Sequence, residues 1–96
     1  MKTMYVYILK CSDDTFYTGV TNNLERRIIE HNAGISKESY TYSRKPLQLV
    51  FYVMFNDPKT AIAYEKKIKK WSRAKKQALI DSKFDSLPKL SKKEFK

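Results

Sequence analysis

Met4-Tyr5-Val6-Tyr7-Ile8-Leu9-Lys10, followed after a short polar stretch by Phe16-Tyr17-Thr18-Gly19-Val20, decides the fold of this 96-residue chain. In an extended backbone Tyr5, Tyr7 and Leu9 share one face, and Met4, Val6 and Ile8 share the other. A run that is apolar on both faces and rich in β-formers reads as a buried strand. Ser12, Asp13 and Asp14 supply the turn that makes the second run its antiparallel hairpin partner. Gly19 in the middle of the second run weakens that strand, and such a glycine often marks a bulge or the close approach of another part of the chain.

Downstream of the hairpin, Asn22 with Glu25 fits an N-cap and its capping-box partner, and Gly34 fits the position just past a helix end, which brackets a first helix of about ten residues. Ile35 to Pro46 shows no clear period and reads as an exposed loop able to move on binding. Leu47 to Phe55 is again apolar on both faces and is expected to be the central strand of a small sheet. Asp57-Pro58 opens a second helix, with Asp as cap and Pro at the first helical position, running to about Trp71. Ser72 can cap a further short helix through about Ile80. Beyond Asp81 the chain turns polar and lysine-rich. The expected organisation is one domain over residues 1–82 and a basic, loosely held tail over 83–96.

Twenty Lys and Arg face ten Asp and Glu, a net charge of +10 that on so small a surface favours a polyanionic partner. The charge is uneven: residues 1–48 carry seven basic and five acidic side chains, residues 49–96 thirteen and five. No run of about 18 apolar residues exists, so no membrane span is expected, and the N-terminus lacks the order of a signal peptide. A cytoplasmic protein is the expectation. One Cys and one His cannot close a tetrahedral zinc site, and two glycines cannot build a phosphate loop or a dinucleotide fingerprint.

On a helical wheel, Leu24, Arg27, Ile28 and His31 fall on one face of the first helix, with Arg26 opposite. Read plainly, Arg27 snorkels at the core edge and His31 is a satisfied, half-buried histidine. On the second helix Ala61, Ile62, Tyr64, Ile68 and Trp71 define the apolar sector, and Glu65 falls between Ala61 and Ile62. A carboxylate on that side costs solvation unless paired or bound to a cation. An inward salt bridge, for instance to Arg27, and metal ligation are both open. Tyr7 and Tyr17 suit strand packing on their own.

The combination Tyr5-Val6-Tyr7, Tyr17-Thr18-Gly19, Arg27, His31 and a downstream Glu65 resembles the GIY-YIG nuclease superfamily. Within it the chain is similar to small stand-alone bacterial proteins that resemble the nuclease domain of the excision-repair endonuclease subunit. The likeness covers roughly residues 3–80. It implies an α+β fold, a three-stranded antiparallel sheet flanked by helices. It also places Tyr7 and Tyr17 at the two motif tyrosines, Arg27 at the essential arginine, His31 at the active-site histidine or tyrosine, and Glu65 at the metal ligand. Tyr5 stands where the first motif has glycine, Thr18 where the second has an aliphatic residue, and Val20 where several members carry lysine.

What the resemblance implies is an endonuclease that hydrolyses phosphodiesters with a tyrosine-activated water and one divalent ion, Mg²⁺ or Mn²⁺. The substrate is nucleic acid, DNA sooner than RNA, with Gly19, Arg44, Lys66, Lys69, Lys70 and Arg73 as expected nucleic-acid contacts. The alternative is a nucleic-acid-binding module on the same fold that cuts nothing. Neither oligomeric state nor substrate structure is legible in the sequence.

Overall fold

The computed structural model describes residues 2–34 and 41–90, and for 83–90 the backbone alone. Three antiparallel strands, β1 (Met4–Lys10), β2 (Phe16–Thr21) and β3 (Gln48–Phe55), form one sheet in the order β2-β1-β3. Helix α1 (Leu24–Ala33) follows the hairpin, and α2 (Pro58–Lys69) and α3 (Arg73–Leu90) follow β3. The α+β architecture expected from the sequence is the one observed.

The central strand is β1, not β3 as the apolar pattern of Leu47 to Phe55 suggests. Both neighbours of β1 are its own hairpin partner and β3, and Val6, Tyr7, Ile8 and Leu9 are all fully buried. On β3, at the sheet edge, Tyr52 and Met54 remain 46% and 57% exposed. Apolar content therefore overstated the burial of this strand, because half-exposed aromatics suit an edge equally well.

The two faces of β1 anchor two cores. Val6 and Ile8 pack with Phe51, Ala61, Ile68 and Ile80 beneath α2 and α3. Tyr7 and Leu9 pack with Cys11, Leu47, Leu24 and Ile28 beneath α1. Asp14 closes the hairpin with φ of 69°, a left-handed conformation that Asp tolerates, and Asp13 accepts from the Thr15 amide and hydroxyl at 3.2 and 2.7 Å.

Helix caps follow the sequence logic with one shift. The N-cap of α1 is Asn23, whose side chain accepts from the Arg26 amide at 3.0 Å, and not Asn22. Thr21 explains the difference: its hydroxyl takes the Asn23 amide at 3.1 Å and sets the entry turn one residue later. Gly34 ends α1 in the left-handed region, as expected. Asp57 caps α2 through the Thr60 amide, and Ser72 accepts from the Lys75 amide at the start of α3. Ile62 is 40% exposed, outside the buried sector of α2, which is Ala61, Glu65 and Ile68. Helix α3 runs on to Leu90, past the end expected near Ile80. Of the expected loop, residues 35–40 lie outside the described residues. Thr41, however, is 1% exposed and leads into a 3₁₀ turn, Tyr42–Arg44, so this end is built into the domain.

Candidate active site

Strand pairing sets Tyr7 opposite Gly19, so the tyrosine ring lies across the glycine. A Cβ at Gly19 would stand 2.4 Å from the Tyr7 hydroxyl and 2.6 Å from its Cζ. No side chain fits there. The glycine that interrupts β2 therefore makes room for the buried phenol, which turns a weak strand residue into a site requirement. Tyr17 lies two residues earlier on the same face of β2, its ring centroid 6.4 Å from that of Tyr7.

Helix α1 lays His31 over both tyrosines, with ring centroids 6.1 Å from Tyr7 and 5.1 Å from Tyr17. The Tyr7 hydroxyl and His31 Nε2 are 3.1 Å apart, and His31 Nδ1 is 2.9 Å from the Thr41 hydroxyl. A partly buried chain of three side chains thus runs from Tyr7 through imidazole to Thr41. Thr41, unremarked in the sequence, holds the second ring nitrogen and so fixes the ring orientation. Its signal was faint, one threonine in a run of Ser, Tyr, Lys and Arg. Asn32 ties the same segment down, its side-chain oxygen accepting from the Leu47 amide at 3.0 Å.

Burial, reinforced by Tyr17, pushes the Tyr7 phenol up to about 12, while the charge and hydrogen bond of Arg27 pull it down. His31 is held below its usual value, by burial first and by the Arg27 charge second. At neutral pH the pair is therefore a neutral phenol against a neutral imidazole. Arg27 flanks them, its Nε 3.3 Å from Glu30 Oε1.

From the other side of the sheet comes Glu65, 8% exposed and close enough for its charge to act on Tyr7. Its ion-pair partner is Lys69 at 3.6 Å, so the inward Arg27–Glu65 bridge is replaced by two separate pairs. Among the described residues no cluster of three or more His, Cys, Asp or Glu exists, so any metal here would rest on one carboxylate with water and phosphate oxygens. Glu65 fits that duty: its carboxylate is largely buried, and among the described residues its one ion-pair partner is the exposed Lys69.

The remaining expected contacts scatter. Arg44 Nε donates to Asp13 at 3.1 Å, against the β1–β2 turn. Arg73 donates to the Asp14 carbonyl at 2.7 Å and stacks on Phe16, which pins α3 to the hairpin. Lys66 and Lys69 are exposed on α2, and Lys70 is exposed at its C-cap. Lys76, by contrast, is buried beside Lys69.

Two tyrosines, an arginine and a histidine thus converge over a strand glycine, with the Glu65 carboxylate near enough for its charge to act on Tyr7, the arrangement that the resemblance to the GIY-YIG nucleases implies. The chain belongs to that family, the profile of the GIY-YIG catalytic domain matching residues 3–78. It is similar to the UPF0213 protein of Haloquadratum walsbyi, 47% identical over 80% of this chain and 85% of that one. A UPF0213 protein of Syntrophus aciditrophicus is 49% identical over 83% and 92%. The solution NMR structure of the UPF0213 protein BH0048 from Bacillus halodurans superposes with a TM-score of 0.56 at 40% identity, covering 84% of this chain and 85% of that one. No helix among the described residues is long and apolar enough to cross a membrane.

Proposed function

We propose that the protein is a divalent-metal-dependent endonuclease that hydrolyses phosphodiester bonds in nucleic acid, DNA in preference to RNA. The observation that carries this reading is the partly buried Tyr7–His31–Thr41 chain with Arg27 beside it. A core needs none of these polar groups, and burying them has a cost that packing alone does not repay.

A phenol near 12 is ionised in only about one molecule in 10⁵ at pH 7. Tyr7 can therefore take a proton from water only as it gives its own away. Neutral His31 at 3.1 Å is the acceptor at hand. With Nδ1–H donated to Thr41, Nε2 is free to receive the Tyr7 proton while the phenol oxygen receives the proton of the attacking water. Arg27 meets the charge that grows on the phosphoryl oxygens, and it also favours the tyrosinate character that develops on Tyr7. Tyr17, edge-on to His31, orients water or phosphate. Glu65 would hold Mg²⁺ or Mn²⁺, whose chemistry there is Lewis-acid polarisation of the phosphodiester and neutralisation of the leaving oxygen. Gly19 keeps the space that Tyr7 occupies, and Lys66, Lys69, Lys70, Arg44 and Arg73 supply basic surface for the strand around it.

The test is cleavage of duplex, single-stranded, flap and branched DNA and RNA with Mg²⁺ or Mn²⁺, in wild type and Arg27→Lys. Lysine keeps the charge and most of the stem but not the planar fork, so cleavage should fall about a hundredfold while nucleic-acid affinity changes little. Binding without any metal-dependent product in the wild type would mean a non-catalytic binding module. Arg26→Lys, on the outer face of α1, is the control and should cleave like wild type.

A further inference from the structure

On the outer flank of β2 a cleft of about 310 Å³ is lined by Phe16, Tyr17, Thr18, Lys69 and Lys76. Three features of it are unexplained by the site above. Lys76 is only 8% exposed, yet among the described residues its ammonium has neither an ion pair nor a hydrogen bond. The charge that acts on it is Lys69, of the same sign, and burial together with that repulsion holds its ammonium below the usual lysine value. The Thr18 hydroxyl, in the same lining, is the sole sealed side-chain polar atom without a partner among the described residues. A largely buried lysine whose ammonium has only a like charge beside it, next to a sealed hydroxyl with no partner, costs folding free energy. Structures retain such groups where a ligand completes them.

We infer that this cleft is an anion subsite that holds a backbone phosphate of the substrate strand, next to the phosphate being cut, on Lys69 and Lys76 with the Thr18 hydroxyl beneath. The inference rests on the nuclease reading. A tetrahedral anion with several oxygens can meet two ammonium groups and a hydroxyl at once, as a single carboxylate cannot so readily. Tyr17 is the shared wall: it lines the cleft on one side and packs edge-on against His31 at 5.1 Å on the other. Lys69 is shared as well, since its amino group lies 3.6 Å from Glu65 Oε2. A phosphate that draws Lys69 into the cleft frees the Glu65 carboxylate for the cation, so strand binding and metal binding should favour each other.

The deciding experiment measures anisotropy of a labelled oligonucleotide in EDTA, with wild type, Lys76→Met, Lys69→Gln, Thr18→Val and Lys75→Met. Lys76→Met should weaken binding about five- to twentyfold and shallow the slope of log affinity against log salt by about 0.9 for duplex or 0.7 for single strand. Its melting temperature should hold or rise, since a charge with no counter-charge leaves the neighbourhood of Lys69. Lys69→Gln, at an exposed position that cannot unfold the core, should lose about as much affinity. Thr18→Val should lose about two- to threefold. Lys75, which lies over the Trp71 ring, is the control and should stay within about twofold. Equal losses at Lys75 and Lys76, or affinity unchanged in both Lys76→Met and Lys69→Gln, would overturn the inference. An NMR titration with inorganic phosphate separates the sources. Lys76-dependent binding of free phosphate, with oligonucleotide affinity indifferent to Lys76, would refute the strand assignment. Wild type that cleaves, beside a Lys76→Met variant with unchanged KM, removes this subsite and leaves the nuclease reading intact. Wild type that neither binds nor cuts nucleic acid removes both.

Discussion

Val6, Tyr7, Ile8 and Leu9 are equally and wholly buried, yet alternate residues enter two different environments. Toward α2 and α3, Val6 and Ile8 themselves meet only aliphatic and aromatic side chains within their core, and their own packing there demands no direction. Toward α1, Tyr7 enters a chain in which each polar group is placed by the next: hydroxyl on imidazole, imidazole on Thr41. The first face tolerates any side chain of the right volume, because dispersion and water exclusion are not directional. The second tolerates almost none, because a buried donor without its acceptor loses the whole of its desolvation cost. Burial alone therefore does not tell a structural strand residue from a chemical one. The partner network does.

The sharpest way to break this contrast is to exchange neighbours one residue apart. Tyr7→Phe keeps the ring and removes the hydroxyl, so cleavage should fall by about 10²–10⁴-fold while stability shifts by about 1 kcal/mol. Ile8→Ala, on the other face, should cost about 2–5 kcal/mol of unfolding free energy and leave the cleavage rate per folded molecule near wild type. Denaturant melts and single-turnover cleavage on the same preparations give both numbers. Similar profiles for the two variants would refute the division of labour between the faces.

Gly19→Ala tests the seam between strand and site. The added Cβ falls within 2.4 Å of the Tyr7 hydroxyl, so the ring or β2 must move. Overpacking of this kind costs about 1–3 kcal/mol, and displacing the phenol from His31 should lower cleavage about ten- to a hundredfold even in the folded fraction. If stability alone falls, the Tyr7 hydroxyl does not work from the position seen here.

The hairpin, both helix brackets and the polar-apolar division of α1 were legible because each depends on residues close in sequence: the alternation of Tyr5 to Leu9, Asp57-Pro58, Gly34. What escaped was set at a distance. The order of strands depends on which edge β3 joins, and no local pattern records that. Thr41 acquires its role only because the chain brings it back to α1, ten residues after His31. Glu65 was visible as a carboxylate on a buried stripe, yet its partner was misjudged: Lys69, one turn along the same helix, competes better than Arg27, which Glu30 engages first. Lys76 carries no local mark that sets it apart from the many lysines around it, because a lysine on a helix is usually solvated. It meets Lys69 only because α3 turns back after α2 and both helices border one cleft.

Thr41 offers a finer test of the chemical face. Thr41→Val removes the hydroxyl that meets His31 Nδ1 at nearly constant volume. The imidazole then loses the group that fixes its tautomer, and cleavage should fall about tenfold, with Thr41→Ser restoring most of it. A merely structural threonine would show the reverse: Val well tolerated in rate, with unfolding changed by about 1 kcal/mol. The pH profile separates them further, because a loosened His31 should shift the acid limb of cleavage and a structural defect should not.

The smallest effect is a stability slope, and it too distinguishes the faces. His31 is the chain's single histidine, and its folded value lies below the ordinary one of 6.5, through burial first and Arg27 second, with Glu30 opposing. Between those two values the unfolded chain binds more protons than the folded one. Unfolding free energy should therefore be full above about pH 6.5, decline as pH falls through the folded value, and level off below it. Asp13 and Asp57, held below the usual carboxylate range by their Thr15 and Thr60 hydrogen bonds, contribute only at more acid pH, which leaves the window from about 5 to 6.5 to His31. At the alkaline end Tyr7 has the opposite sign. Its folded value near 12 exceeds the ordinary 10, so stability should be retained up to about pH 10 and lost as pH climbs toward 12. Urea melts across pH 5 to 8 on wild type and His31→Gln give the check. The acid slope should vanish in the variant and persist in Ile8→Val, whose change lies wholly on the apolar face. A slope that survives His31→Gln would mean that the proton goes elsewhere, and that the imidazole is not the titrating link between Tyr7 and Thr41.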